Sequence, residues 1–74
     1  MQNNSRITVI FERARRAHVS PEDVSGAAGV HKATLYRWRK GPSGPRLRQV
    51  EAMEAFLDDR EAALVAELAG GRAA

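Results

Sequence analysis

Residues 21–40 read PEDVSGAAGVHKATLYRWRK, and this stretch contains the clearest helix start and turn signals of the chain. Ser20 and Pro21 mark the start of a helix, because serine caps a helix N-terminus and proline suits the first helical position. Gly29 ends that helix, because glycine tolerates the left-handed conformation that a sharp turn requires. A second helix follows over residues 31–39. The stretch therefore predicts two short helices joined by a tight turn.

These two helices meet the requirements of a helix-turn-helix, in which buried residues hold two short helices at a fixed angle. The residues placed to form that contact are Val24, Ala28, Val30, Leu35 and Trp38. The opposite face of the second helix carries His31, Lys32, Ala33, Tyr36, Arg37 and Lys40. Such a face fits the major groove of DNA, because Arg and Lys donate hydrogen bonds to guanine O6 and N7.

Helical patterns also flank this motif. A first helix over about residues 6–17 is predicted by the apolar spacing of Ile7, Ile10, Phe11 and Ala14. The Gly- and Pro-rich residues 41–45 end the helix over residues 31–39, which is thus the third helix in chain order. A fourth helix opens at Pro45 or Arg46, and its predicted core positions are Leu47, Val50, Met53 and Leu57, with Phe56 beside them.

A fifth helix is predicted to begin near Asp58, which has capping-box spacing to Glu61. Its apolar edge consists of Leu64, Val65 and Leu68, and the glycines at 70 and 71 are expected to stop it. No strand-like alternation is present. We therefore predict an all-α fold, a compact bundle of four or five short helices. Residues 1–69 form its single domain and residues 70–74 a flexible tail.

Charge is distributed unevenly along the chain. Residues 1–50 contain ten Lys/Arg and three Asp/Glu, a net charge of +7, whereas residues 51–74 contain two basic and six acidic residues, a net charge of −4. No acid lies between Asp23 and Glu51. A basic region of this kind is typical of a face that binds a polyanion. Arg46 and Arg48 are expected to contact phosphates. Arg13, Arg15 and Arg16 either do the same from the first helix or are solvated, and solvation is the first choice.

The motif, with the residues around it, resembles the Cro/repressor-type (Xre-like) helix-turn-helix regulators of phages and bacteria. The resemblance covers residues 7–57. The matching residues are Gly29, Val30, Leu35, Trp38, Gly41, Pro45, Leu47, Val50 and Met53. The resemblance implies a lambda-repressor-like fold in which residues 31–39 form the recognition helix.

The resemblance also implies the DNA-contacting residues. The base-reading positions fall on Lys32, Ala33 and Arg37, with Tyr36 and His31 next in line, and a phosphate-contacting position falls on Lys40. Arg39 is predicted to contact phosphate as well, although the family does not supply this contact. Arg39 replaces an acid that is common in the family and adds positive charge near the DNA. Pro21 lacks the polar side chain that often contacts phosphate at its position. Glu22 repels phosphate where it faces the backbone, so both are left out of the site.

Other functions are weakly indicated. Trp38 is a core residue rather than a stacking platform for single-stranded nucleic acid, because it follows Leu35 by three residues on the same face. His18 and His31 lack metal-site spacing, and there are no cysteines, so no metal or cofactor is expected. No glycine loop or catalytic constellation indicates an enzyme. No apolar run approaches the roughly 20 residues of a membrane span, and a bacterial cytoplasmic location is expected.

The sequence thus predicts a double-stranded-DNA-binding transcriptional regulator, with repression as the first choice. The alternatives are an accessory module of a recombination or transposition system and a small phage-type activator that contacts RNA polymerase. A protein-interaction adaptor is a third class. A homodimer or higher homo-oligomer is expected, because one recognition helix reads only about half a turn of DNA. Leu64, Val65 and Leu68 either mediate this self-association or close the core of the monomer.

Overall fold

The computed structural model describes the backbone of residues 3–41 and 43–73 and the side chains of residues 5–41 and 43–70. Within these residues the chain forms four α-helices and no strand, which confirms the predicted all-α bundle. The helices are α1 (Asn3–Arg16), α2 (Pro21–Ala28), α3 (Lys32–Lys40) and α4 (Leu47–Ala73). Helices α1 and α2 pack against α4, and α3 packs against α1 and α2. No helix of the described part has the length and apolarity needed to cross a membrane.

The start of α2 follows the predicted capping pattern. The Ser20 hydroxyl accepts a hydrogen bond from the Asp23 N–H at 3.2 Å, and Pro21 occupies the first helical position. Val19 and Val24, on either side of this cap, are both buried. They form the hydrophobic staple that directs the chain into a helix. The chain therefore enters α2 at an angle that the local sequence specifies.

One core is formed by residues of all four helices. Its buried members are Ile7, Ile10, Ala14, Val19, Val24, Leu35, Trp38, Val50, Met53 and Leu57. Phe11, Ala28, Val30 and Phe56 pack against it. The predicted core position at Leu47 is wrong, because this side chain is 54% exposed. Each i, i+3 step turns about 60° around a helix, so Leu47 lies roughly 90° from the centre of the stripe that α4 buries.

The predicted fifth helix does not exist as a separate element, because α4 runs without interruption through Asp58. Residues 46–69 contain neither Gly nor Pro and are rich in Ala, Leu, Glu and Arg, the strongest helix formers. The Asp58 carboxylate accepts a hydrogen bond from Arg13. Helix α4 also continues beyond the glycines at 70 and 71, where the sequence predicted an end, and Ala74 lies outside the described residues.

Helix α4 is longer than the rest of the bundle. Its 27 residues span about 40 Å, and the molecule measures 48 × 23 × 18 Å. Ion pairs join Arg6 to Glu54 and Arg13 to Glu61, so α1 and α4 run parallel with an offset of 48 residues. At this offset the end of α1 lies beside residue 64. Val65 and Leu68 are 66% and 61% exposed, so they do not close the core of the monomer.

Candidate nucleic-acid interface

The turn between α2 and α3 is set by local hydrogen bonds. Gly29 has φ +74°, its N–H donates to the Gly26 carbonyl at 3.0 Å, and the Val30 N–H donates to the Ser25 carbonyl at 3.0 Å. These two bonds form a Schellman motif. A Cβ at Gly29 meets no atom within 4 Å, so the backbone angle rather than space requires glycine here. These bonds end α2 and set the direction in which the chain leaves it toward α3.

His31 caps α3. Its Nδ1 accepts a hydrogen bond from the Ala33 N–H at 3.0 Å, and its backbone is extended. The sequence assigned His31 to base reading, but this nitrogen already has a structural partner. Only the Nε2 edge of the ring remains for an outside contact, and it carries the hydrogen of the neutral ring.

Helix α3 has one buried face and one exposed face. Leu35 and Trp38 are 1% and 7% exposed, so Trp38 lies in the core as predicted. Ala33, Arg37 and Lys40 are exposed on the opposite side. The Arg37 guanidinium donates to the Thr34 hydroxyl at 3.3 Å, a long bond that leaves most of its donors free. The outward face thus combines two cations with a small residue that permits close approach.

Two predicted contact residues are exposed and also pack on Phe11 of α1. The Tyr36 ring lies 5.7 Å from the Phe11 ring, and the Arg39 guanidinium lies 5.0 Å above the same ring. Tyr36 is 39% exposed, so it faces outward as predicted while one side of its ring rests on α1. Phe11 therefore orients both side chains at the edge of the face that Ala33, Arg37 and Lys40 form. Sequence reasoning missed this role, because the spacing of Phe11 indicates a core position of α1.

The remaining predicted phosphate contacts lie at the end of α3 and around the start of α4. Lys40, Arg46 and Arg48 are exposed and make no ion pair with any described residue. The Arg46 N–H donates to the Gln49 side chain at 2.8 Å, so the backbone of Arg46 caps α4 while its guanidinium stays available. Lys32 differs, because its Nζ lies 3.7 Å from the Glu22 carboxylate.

Two arginines of α1 bind carboxylates of α4. Arg13 donates to Glu61 through Nε at 3.0 Å and Nη2 at 2.9 Å, and it also binds Asp58. Arg6 donates to both carboxylate oxygens of Glu54 at 3.1 and 2.6 Å. The prediction that Arg13 is solvated is therefore wrong. The matching seven-residue spacing of Arg6 and Arg13 and of Glu54 and Glu61 is the signal that would have indicated this contact.

These ion pairs shift the titration of their members. Hydrogen bonds from Arg13 lower the pKa of Glu61 below its ordinary value of 4.5, and burial opposes that change only in part. The hydrogen bonds to Glu61 and then to Asp58 raise the pKa of Arg13 above its ordinary value. The charged forms of both side chains are thus favoured in the folded chain. They hold α1 against α4 rather than facing a ligand.

A surface groove of about 390 Å³ lies between α1, the start of α2 and α3. The sequence indicated no pocket. The apolar lining of the groove includes Phe11, Val24 and Leu35, and Arg39 borders the groove on the side of α3. Among the described residues no group of three His, Asp or Glu side chains is placed to hold a metal ion.

No family model matches the chain, and no curated protein or solved structure is significantly similar to it.

Proposed function

We propose that this chain is a sequence-specific double-stranded-DNA-binding regulator of transcription of the Cro/repressor (Xre-like) type, with α3 as its recognition helix. One observation carries the proposal. The outward face of α3 presents Arg37 and Lys40 beside the small Ala33, while Leu35 and Trp38 anchor its other face in the core. An anchored helix with donors on its free side is what major-groove reading requires.

The charge pairing supports the same proposal. The α4 carboxylates Glu54, Asp58 and Glu61 are bound by arginines of α1, so the paired charges lie along the contact between these two helices. Lys40, Arg46 and Arg48 keep their positive charge unpaired within the described residues. Unpaired cations beside a recognition helix supply the phosphate contacts that set affinity and register.

The regulator acts as a homodimer in this proposal. Val65 and Leu68 are exposed on the part of α4 that extends past α1, and Leu64 is half-buried beside the end of α1. Self-association through these residues places two recognition helices on half-sites about 34 Å apart, or a multiple of that distance. Repression is favoured over activation, because half of the α4 acids available to touch RNA polymerase are bound to α1. DNA binding places the chain in the bacterial cytoplasm or nucleoid, and no catalytic step is assigned to it.

The test is selection of a random duplex library by the purified chain at near-physiological salt. Enrichment of an inverted repeat with turn-spaced half-sites is the expected result. Salt-dependent binding without any enriched sequence contradicts sequence-specific regulation and favours an accessory module that relies on a partner. The absence of any duplex binding overturns the proposal and leaves the adaptor.

Phosphate contacts have their own test. Lys40→Gln and Arg46→Gln are each expected to make the dependence of log affinity on log salt less steep by about 1. The change should be the same for all duplexes. Arg60→Gln is the matched control, because Arg60 is exposed among the acids of α4 and stacks on Phe56 at 5.4 Å. Equal slopes for all three variants contradict the assignment of phosphate contacts.

A further inference from the structure

One ion pair among the described residues includes a residue of the recognition helix. Lys32, the first residue of α3, has its Nζ 3.7 Å from Oε2 of Glu22, the second residue of α2. The Lys32 side chain is 44% exposed and the Glu22 side chain 72%. A donor and an acceptor therefore stand side by side, open to solvent, where the two helices of the motif meet.

A contribution to folding stability does not explain why Glu22 and Lys32 are paired. Exposed ion pairs contribute little to folding, because water and salt screen them and two long side chains lose freedom. Glu22 also lies in the first turn of α2, where a carboxylate interacts favourably with the helix dipole. Asp23 occupies the same turn and supplies the same interaction, yet it forms no ion pair with the described residues. Both acids therefore interact with the helix dipole, but Glu22 alone of the two contacts Lys32.

The spacing of the pair matches the edge of a base pair. In the major groove a G·C pair presents the acceptors N7 and O6 of guanine, followed by the N4 amino donor of cytosine. Guanine O6 and cytosine N4 are joined by a Watson–Crick hydrogen bond and lie about 2.9 Å apart. A lysine ammonium donates to O6 and N7, and a carboxylate accepts from N4.

We propose that Glu22 and Lys32 together read one G·C base pair, with Lys32 donating to guanine and Glu22 accepting from cytosine N4. This inference rests on the proposed DNA-binding function and assigns a base-reading residue to α2. Glu22 was left out of the sequence-derived site because it repels phosphate. The same repulsion favours the groove floor over the backbone for its carboxylate.

An A·T pair fits this donor and acceptor less well. The adenine N6 donor stands beside the acceptor N7, which repels a carboxylate, and the thymine O4 acceptor stands beside the C5 methyl group, which obstructs an ammonium. The pair therefore discriminates G·C from A·T at one position of each half-site.

The experiment compares the sequences selected from a random duplex library by the intact wild-type chain and by Glu22→Ala, Glu22→Gln, Lys32→Ala and Asp23→Asn. Wild type and Asp23→Asn are expected to enrich G·C at the same position. Glu22→Ala and Lys32→Ala each lose about tenfold of that preference, at that position alone. Glu22→Gln shifts the position toward A·T, because glutamine pairs with adenine N6 and N7. Thermal unfolding verifies that every variant is folded.

The outcomes separate the two proposals. If Glu22→Ala binds all duplexes more tightly with an unchanged base preference, Glu22 only repels phosphate and the inference is overturned. Equal effects of Glu22→Ala and Asp23→Asn overturn it as well, because they reflect the charge of the helix turn. A wild-type chain that enriches no sequence overturns the proposed function and this inference together.

Discussion

The arginines of α1 and the basic residues from Arg37 to Arg48 share chemistry but not environment. Arg13 has a side chain 22% exposed and is held by two carboxylates of α4. Lys40 and Arg48 are exposed and have no carboxylate partner in the described part of the chain. Arg6 and Arg13 fix α1 against α4, whereas Lys40 and Arg48 remain available to an outside anion. Positive charge therefore indicates a binding surface only where the fold provides no acid for it.

The register of two parallel helices produces this difference. Arg6 and Arg13 repeat every seven residues on α1, and so do Glu54 and Glu61 on α4. Seven residues correspond to nearly two helical turns, so such repeats stay on one face of each helix. The acids of α4 thus meet the cations of α1, and α3 lies beyond their reach. Four predictions test this difference.

The largest effect is expected on the buried side of α3. Trp38→Ala lowers the free energy of unfolding by about 3–5 kcal/mol, because it removes a core indole and leaves a cavity. Urea unfolding measures this loss, and Trp38→Phe should retain a large part of the stability. A Trp38→Ala variant that unfolds like the wild type contradicts the buried anchor on which the exposed face of α3 depends.

Arg37→Ala is expected to weaken DNA binding and to leave stability nearly unchanged, although Arg37 is the neighbour of Trp38. Binding to the selected duplex falls by about 10- to 100-fold, because a base contact is lost. Binding to unrelated duplexes falls much less, and the melting temperature stays close to that of the wild type, as expected for an exposed residue. Titration of both duplexes at one salt concentration measures the ratio. Equal losses on the two duplexes make Arg37 a phosphate contact instead.

Arg13→Ala tests the α1 side of the comparison. The free energy of unfolding decreases by about 1 kcal/mol, because two carboxylates of α4 lose a shared, partly buried partner. Arg15→Ala is the matched control. Its side chain is 74% exposed and pairs, among the described residues, only with Glu12 of the same helix, so a change below about 0.5 kcal/mol is expected.

Affinity for DNA provides the second readout for Arg13→Ala. At a temperature where both proteins are folded, the variant and the wild type should bind the selected duplex equally. Weaker binding by a fully stable variant contradicts the assignment of Arg13 to the contact between α1 and α4 rather than to DNA.

The smallest effect concerns pH. The pKa of Glu61 is lowered by hydrogen bonds from Arg13, so its stabilising charge is present above the ordinary value of 4.5 and is lost as the pH falls through the lower folded value. The difference in melting temperature between wild type and Arg13→Ala should therefore narrow at acidic pH. Thermal melts from about pH 3 to about pH 7 measure it. A difference that is constant with pH shows that Arg13 stabilises by packing alone.

Local patterns predicted most of the fold but failed at α4. The cap at Ser20, the turn at Gly29 and the core positions Leu35 and Trp38 were all foreseeable, because each depends on residues within a few positions. Asp58 looked like a cap by spacing, yet nothing in the chain around it breaks a helix. Its carboxylate has its partner 45 residues away in Arg13, a contact that no local pattern contains.

For the candidate site, the sequence alone determined which side of α3 faces outward, since helical periodicity separates Arg37 from Trp38 without further information. The pairing of the charges depended on how the helices pack. This packing brought Arg13 to Glu61 and Lys32 to Glu22, left Lys40 without a carboxylate partner in the described chain, and rested Tyr36 and Arg39 on Phe11. The physical reason is range. Capping, turns and periodicity act over a few residues, whereas an ion pair requires two distant segments to be packed within a few ångströms.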